Sequence, residues 1–593
     1  MRFLSVFLLS CAIFVGCKEK ETANRQVQPN IEKKEVKTCI SSDLCWHIET
    51  DKACYAPGEQ VYFSTDGTPT EQTYIRYRKA SEVISDERLQ TDSWTWIAPK
   101  EDGCGYMVEI YRLQSDSSQC IVGTIAVDVS SDWSMYPRYG FVGTYDASKT
   151  ESVIAQEAAY LNRCHINGIQ FYDWHWKHHH PLAGTKESPM EQWQDIAKRT
   201  VLKQVVEKYI ESFHNYNIKT MFYNLCYGAL DDAGAREEGV KLEWYAYKDK
   251  YHTDFDKMDF DNNWVSDIYL LNPGNEDWQA FLSERNEEVY SVFDFDGFHI
   301  DQLGDWGQHY TYEGQPIAFP QAYASFINAM KKQHPDKRLV MNAVSSFGSQ
   351  AICQTGNVDF SYNELWARED NFTDIYSVIK GTEVYSQGKL KSILAAYMNY
   401  ECDRCQFNEP GVLLTDAVIF ALGGAHLELG DHMLCREYFP YTGVTMSPAL
   451  RDKMINYYDF MTAYETLLRG CGEEETLDVK AKEGKVNITA WPPKLKHLTT
   501  FSRKQGQRHI LHILNFLNAD QLSWRDLKGT MPAPRLVENL TVQVTINETV
   551  HHVYIASPDY HGGALVELPF EQADGQVNFS IPGLKYWDMI VME

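Results

Sequence analysis

Beyond residue 136, short apolar stretches alternate with amphipathic ones, a grammar that predicts βα units around a parallel sheet. Eight strands are expected, at 139–145, 168–174, 220–224, 297–301, 339–343, 360–364, 393–399 and 425–429. Helical periods fill the gaps, for example at 151–162, 200–213, 276–292, 321–332 and 415–422. Eight such units over about 300 residues match a TIM barrel with loop insertions. The longest insertion, 228–275, follows the third strand. Upstream, 39–132 is strand-like, with alternating or β-branched runs separated by Gly, Pro, Asp and Ser clusters. Ala56-Pro57-Gly58-Glu59 is a turn feeding a strand there, as at the entry to immunoglobulin-like domains. Strand grammar returns at 509–515, 542–546, 552–556 and 577–581. The expected architecture is multidomain: a central (β/α)8 TIM barrel over 133–470, an N-terminal immunoglobulin-like β-sandwich over 39–132, and a C-terminal β-sandwich over 471–593.

The amino terminus changes the picture of where this body resides. Met1-Arg2, an apolar run to Val15, and Gly16-Cys17 form a secretory signal of the lipoprotein type, with 1–16 as the signal peptide. The run is too short to span a bilayer permanently. Cleavage before Cys17 would expose its thiol to lipidation, and the polar segment 17–38 would act as a flexible tether. An exported lipoprotein of the outer membrane is expected, touching the membrane through its lipid anchor only, with the membrane face left open. A monomer is expected.

Acidic residues outnumber basic ones, 82 to 55, for a formal net charge of −27. Nucleic acid and anionic lipid are disfavoured as partners because both would be repelled at long range; a neutral polymer meets no such barrier. Fifteen Trp and 36 Tyr serve either a β-rich core or stacking platforms for a flat ligand, and composition alone does not separate the two. In an oxidising compartment some of Cys39, Cys45, Cys54, Cys104 and Cys120 could pair. Cys402-Asp403-Arg404-Cys405 lacks a second CxxC at zinc-site spacing, so a disulfide or two free thiols is expected. His178-His179-His180 is expected in a solvated loop rather than on a metal. No cofactor is called for: no Walker loop, no GxGxxG after a strand, no HExxH and no GxSxG is present.

Nearly every expected barrel strand ends in a polar or aromatic residue: Asp173 and Trp174, Asn224, Asp301, Asn342, Glu364, Asn399, Glu428. Strands buried on both faces should be almost wholly apolar. Ordinary strand-to-loop turnover accounts for any one of these; for the set, a polar pocket at the carboxyl end of a barrel is the better account. Asp301 and Glu364 stand out. They lie 63 residues apart, two βα units of about 30 residues each, which places them on the fourth and sixth strands. Alternate strands lie about 10 Å apart, so inward-leaning side chains could bring the carboxyls to about 5 Å, the spacing of a retaining glycosidase. Two unrelated buried acids remain the competing account.

At these strands the sequence resembles glycoside hydrolase family 66, the dextranases and cycloisomaltooligosaccharide glucanotransferases. The matching stretches are Tyr139-Gly140-Phe141, His165 to Trp174, Phe222-Tyr223-Asn224, Asp296 to Asp301, Tyr362 to Trp366 and Ala421 to Gly430. The resemblance implies a retaining endo-hydrolase of α-1,6-glucan, acting on dextran and isomaltooligosaccharides, with Asp301 at the nucleophile position and Glu364 at that of the acid/base. It makes Tyr172, Asp173, Trp174, Tyr223, Asn224, Asn363, Trp366, Asn399 and Glu428 candidates for sugar contact. The family's cyclising transferases carry a carbohydrate-binding module late in the barrel. Only about 25 residues separate Asn399 from Ala425 here, which favours the dextranase branch. Glucan transfer to cyclic or linear products is the first alternative, and a non-catalytic glucan-binding lipoprotein is one of another class.

Overall fold

The computed structural model describes residues 38–39 and 44–593, apart from Glu483 and Lys485. The signal peptide and the lipidation at Cys17 expected from the sequence fall outside the described residues. At the centre is one eight-stranded parallel sheet whose spatial order follows the chain. Its strands are β1 (Tyr139–Val142), β2 (Gly168–Phe171), β3 (Lys219–Leu225), β4 (Gly297–Asp301), β5 (Arg338–Val344), β6 (Ser361–Glu364), β7 (Ser392–Ala395) and β8 (Gly424–His426). The barrel helices follow them in turn: α1 (Glu151–Arg163), α2 (Lys203–Asn215), α3 (Glu276–Val292), α4 (Phe319–Gln333), α5 (Ser349–Gln354), α6 (Phe372–Ser386), α7 (Glu409–Ala421) and α8 (Pro448–Ala463), with short extra helices at Asp232–Glu237 and Glu465–Arg469. The sheet closes just past β8, where Phe141 N–H donates to Leu429 O at 3.2 Å and Asp431 N–H to Phe141 O at 3.2 Å. Gly430 is required at that seam: a Cβ there would lie 2.4 Å from Phe141 O.

Every strand predicted for the barrel is present, displaced at its ends by a few residues. Two differences have physical reasons. The segment 200–202, read as the start of a helix, is instead a short strand, Thr200–Leu202, paired with Gln192–Gln194, so α2 begins at Lys203. Helix α7 starts six residues before its predicted start because it is buried from Gly411 to Ala421, leaving no amphipathic edge to mark where it begins.

Each end of the chain adds two largely antiparallel sheets. Upstream, a sheet containing Thr73–Lys79, Cys104–Leu113 and Gln119–Val129 shares a core with one containing Ile48–Thr50, Gln60–Thr65 and Ser93–Ile97. Half of the aromatic question is answered there: Trp94 stacks on Phe63 (5.1 Å) and Trp96 on Tyr77 (4.7 Å), so these rings build a core. Downstream, seven strands built around Arg508–Asn515 and Trp587–Met592 cover four strands that include Val537–Thr545 and Gln576–Leu584. A loop from this downstream part reaches the barrel rim, where Arg525 O accepts from Asn399 N–H (2.9 Å) and Trp524 Nε1 donates to Glu369 O (2.5 Å). Cys402 and Cys405 form a disulfide, while Cys54 and Cys104 are free buried thiols.

Candidate active site

A cavity of about 1190 Å³ opens at the carboxyl ends of the barrel strands. Side chains alternate along a strand, so residues two apart share a face. Tyr172, Tyr223, Asp301, Asn342, Glu364 and Tyr397 therefore reach the cavity from β2 to β7 or from just beyond their ends, above a floor of His299 and Tyr362. The side chain of Asn342, on β5, links the two acids on either side of it. Its Nδ2 donates to Asp301 Oδ1 at 2.8 Å and to Glu364 Oε2 at 2.9 Å, so those two oxygens can be no more than about 5.7 Å apart. Tyr223 OH donates to the other Asp301 oxygen at 2.8 Å, and the Gln302 N–H to Oδ1 at 2.8 Å. Tyr397 OH donates to Glu364 Oε1 at 2.7 Å.

These partners set the charges. Burial raises the Glu364 carboxyl to about 7, with the Asp301 charge adding to the effect and the bonds from Tyr397, Asn342 and Trp366 opposing it. Burial also raises Asp301, but donors from Asn342, Tyr223 and the Gln302 backbone oppose it. Of the pair, it is Glu364 that the other's charge raises further, so Asp301 takes the charge and Glu364 keeps the proton. Nearby, burial lifts Asp173 to about 7 despite Arg199 at 3.4 Å.

The walls are aromatic. Tyr172 stacks on Phe439 (4.2 Å) and leans on Tyr223 (4.8 Å). Trp366 lines the cavity half-buried, its indole N–H beside the Glu364 carboxyl. The 228–275 insertion contributes Phe260 and Trp264, whose rings lie 4.6 Å apart, and Trp264 faces Tyr438 across the mouth at 6.0 Å. Here the aromatic residues form platforms.

Of the eleven site residues expected from sequence, six line the cavity: Tyr172, Asp173, Tyr223, Asp301, Glu364 and Trp366. The other five are placed elsewhere. Trp174 is fully buried outside the barrel wall, donating to Tyr223 O (3.2 Å) and packed on Phe293 and Phe295. Asn224 and Asn363 occupy the outward positions next to inward ones, bonded to His178 (2.8 Å) and Ser361 (3.0 Å). Asn399, with φ of 54°, clasps the downstream loop through Asp526 O at 2.7 Å. Glu428 sits behind the barrel wall with Asp416, on α7, and His426. The histidine run also differs from expectation. His178 and His179 are buried rather than solvated, His178 against His175 (2.9 Å) and His179 against Glu238 (3.1 Å); burial lowers His178 to about 4.

The Asp416–His426–Glu428 cluster has the donor set of a metal site, but its histidine is already committed. His426 Nε2 faces Ala396 O at 2.9 Å, and Nδ1 faces Asp416 (2.8 Å) and Glu428 (3.2 Å). Burial pulls this imidazole down, yet Glu428 and Asp416 outweigh it and hold it well above the ordinary value. The group is a buried ion cluster tying β8 to α7. His426→Leu would strand both acids and is expected to cost about 3–5 kcal/mol, read as a fall in unfolding free energy in denaturant; an unchanged value would show that the acids are already neutral.

Asn342 was read only as one of the polar strand ends, and Tyr397, His299 and Tyr362 were missed as site residues. The last two could have been found by stepping back two positions from each acid, along the strand period. Phe260, Trp264 and Tyr438 lie on loops with no period to betray them.

Residues 50–591 match the sequence model of glycosyl hydrolase family 66. A cycloisomaltooligosaccharide glucanotransferase of Niallia circulans is 26% identical, over 92% of this chain and 72% of its own. A dextranase of Streptococcus salivarius is 23% identical, over 82% of this chain and 67% of its own. Among solved structures, a Paenibacillus cycloisomaltooligosaccharide glucanotransferase complexed with cycloisomaltoheptaose superposes with a TM-score of 0.83 at 23% identity, over 94% of this chain and 100% of that one. With the match spanning both flanking sheet regions and the barrel between them, the chain belongs to glycosyl hydrolase family 66, and it is a glycoside hydrolase.

Proposed function

We propose that the protein hydrolyses internal α-1,6-glucosidic bonds of dextran with retention of configuration. The observation that carries this reading is the shared Asn342 amide, which keeps the facing Asp301 and Glu364 oxygens no more than about 5.7 Å apart, short of the 6.5–9.5 Å that leaves room for a water in inverting enzymes and compatible with the roughly 5–5.5 Å of double displacement. In the first step an Asp301 oxygen attacks the anomeric carbon. The C1–O bond breaks and Glu364 gives its proton to the departing O6. In the second, the Glu364 carboxylate takes a proton from water, the hydroxide oxygen attacks C1, and the Asp301 ester bond breaks. Tyr172, Trp264, Trp366 and Tyr438 offer ring faces to sugars along the cleft. A chain of net charge −27 meets no electrostatic barrier to a neutral polysaccharide. Export on a lipid anchor at Cys17 would bring it to a polymer too large to enter the cell.

Glucan transfer is the second reading, favoured by the glucanotransferases among the relatives. The same two acids would serve, with a sugar hydroxyl replacing water in the second step. Incubation with dextran, pullulan, starch and xylan separates the possibilities. Shortening of dextran alone, with linear isomaltooligosaccharides as the main products, is expected. Cyclic or lengthened products would establish transfer, and cleavage of another polymer but not dextran would overturn the linkage assignment.

A further inference from the structure

A second cavity, of about 1030 Å³, lies far from the first, between the upstream and downstream sheets. The two sheet regions are locked together beside it. Thr124 Oγ1 donates to Gly562 O (3.0 Å), and Ser81 Oγ donates to Glu593 Oε1 (2.6 Å). One wall is the Arg76–Glu109–Arg78 group, a buried carboxylate held by two guanidiniums at 2.9 and 3.3 Å. The opposite wall carries Tyr560 and Phe570, half-buried, with Pro569 and Pro582 between apolar neighbours.

Asp588 is the second buried acid on this lining. It is fully buried and faces the cavity, and the one hydroxyl beside it able to donate to it is that of Ser557. That hydroxyl also has Trp587 O within reach, at 2.6 Å. A buried carboxyl with so few donors costs stability and calls for an explanation, such as a ligand that completes it.

We propose that this cavity is an accessory binding site for a short stretch of α-1,6-glucan, with Asp588 accepting two sugar hydroxyls and Tyr560 and Phe570 covering the apolar ring faces. The volume is that of a pocket for a molecule of several rings, not for an ion. Acids outnumber cationic side chains on the lining, Glu109, Glu538, Glu567 and Asp588 against Arg76 and Arg78, which disfavours an anionic ligand. The ligand class rests on the function proposed above. Held here, a distant part of the polymer would keep the chain near the catalytic cleft and raise its effective concentration.

The test is titration of the full chain carrying Asp301→Asn, which binds without turnover, with isomaltotriose by calorimetry. Two sites are expected, one of which weakens about ten- to hundredfold when Asp588→Leu is added and also weakens with Tyr560→Ala. On an otherwise wild-type background, Asp588→Leu should keep its turnover of isomaltotriose, which reports an intact fold, while kcat/KM on high-mass dextran falls severalfold. A single site, or a second site indifferent to both substitutions, overturns the inference. Dextran cleavage by wild type together with a single site would sink this proposal alone; two sites without dextran cleavage would sink only the catalytic reading.

Discussion

Asp301→Ala is expected to lower kcat on dextran by on the order of 10⁴-fold or more, the scale on which removal of a catalytic nucleophile is felt. The substitution removes the atom that forms the covalent bond. It also leaves Tyr223 OH and one of the two Asn342 contacts without their acceptor. Loss of rate by itself would not separate attack from mere positioning, so the chemistry of rescue decides. With Asp301 shortened, azide can enter the vacated space and attack C1 from the face the carboxylate used. The product is then a β-glucosyl azide, inverted relative to the α-linked substrate, with Glu364 still protonating the leaving oxygen. An α-configured azide, or a variant within tenfold of wild type, would remove Asp301 from the nucleophile role. Binding of isomaltooligosaccharides to this variant should persist, because the ring platforms at Trp366 and Trp264 are untouched.

The sequence carried the barrel because both of its periods are physical. Strands buried on two faces must be apolar throughout, and the helices that cover them must be apolar on one side, so their alternation survives without any alignment. The acids were legible for a related reason: Asp301 and Glu364 end strands two units apart, and barrel geometry turns that spacing into proximity. What failed was the parity of neighbours. Tyr223 faces the cavity and Asn224 faces His178; Glu364 faces the cavity and Asn363 faces Ser361. A polar residue at a strand end says that the strand stops being purely buried, but not which side it faces. Asn399 and Glu428 misled in another way. Both are polar for structural reasons: Asn399 holds the downstream loop, distant in sequence, and Glu428 holds the buried imidazole two residues before it. The Trp264–Tyr438 mouth was invisible because its two rings come from separate loops.

The second large effect concerns the proton on Glu364. With its carboxyl raised to about 7 by burial and by the facing Asp301 charge, it is neutral below that pH and ionised above it. The first chemical step uses the neutral form, so kcat/KM should fall about tenfold per pH unit above roughly 7. Glu364→Gln fixes a neutral side chain that keeps the contacts from Asn342 or Tyr397 in part but cannot give up a proton. Its dextran turnover should drop by about 10²–10⁴-fold, and the basic limb near 7 should vanish from its profile. A substrate with a good leaving group, such as an activated aryl glucoside, needs no proton in the first step. It should still form the glycosyl-enzyme, and azide should then release an α-glucosyl azide, retained where the Asp301 variant inverts. Stability carries the same sign. A carboxyl whose folded value lies above its ordinary value of about 4.3 stabilises the fold at low pH and loses that contribution as pH rises through 7. Glu364→Gln should therefore gain thermal stability over wild type at about pH 8 more than at about pH 5, because only wild type is forced to bury a second charge beside Asp301. A basic limb that survives the substitution would assign the titration to another group in the cavity, and Asp173, also near 7, is the one to replace next.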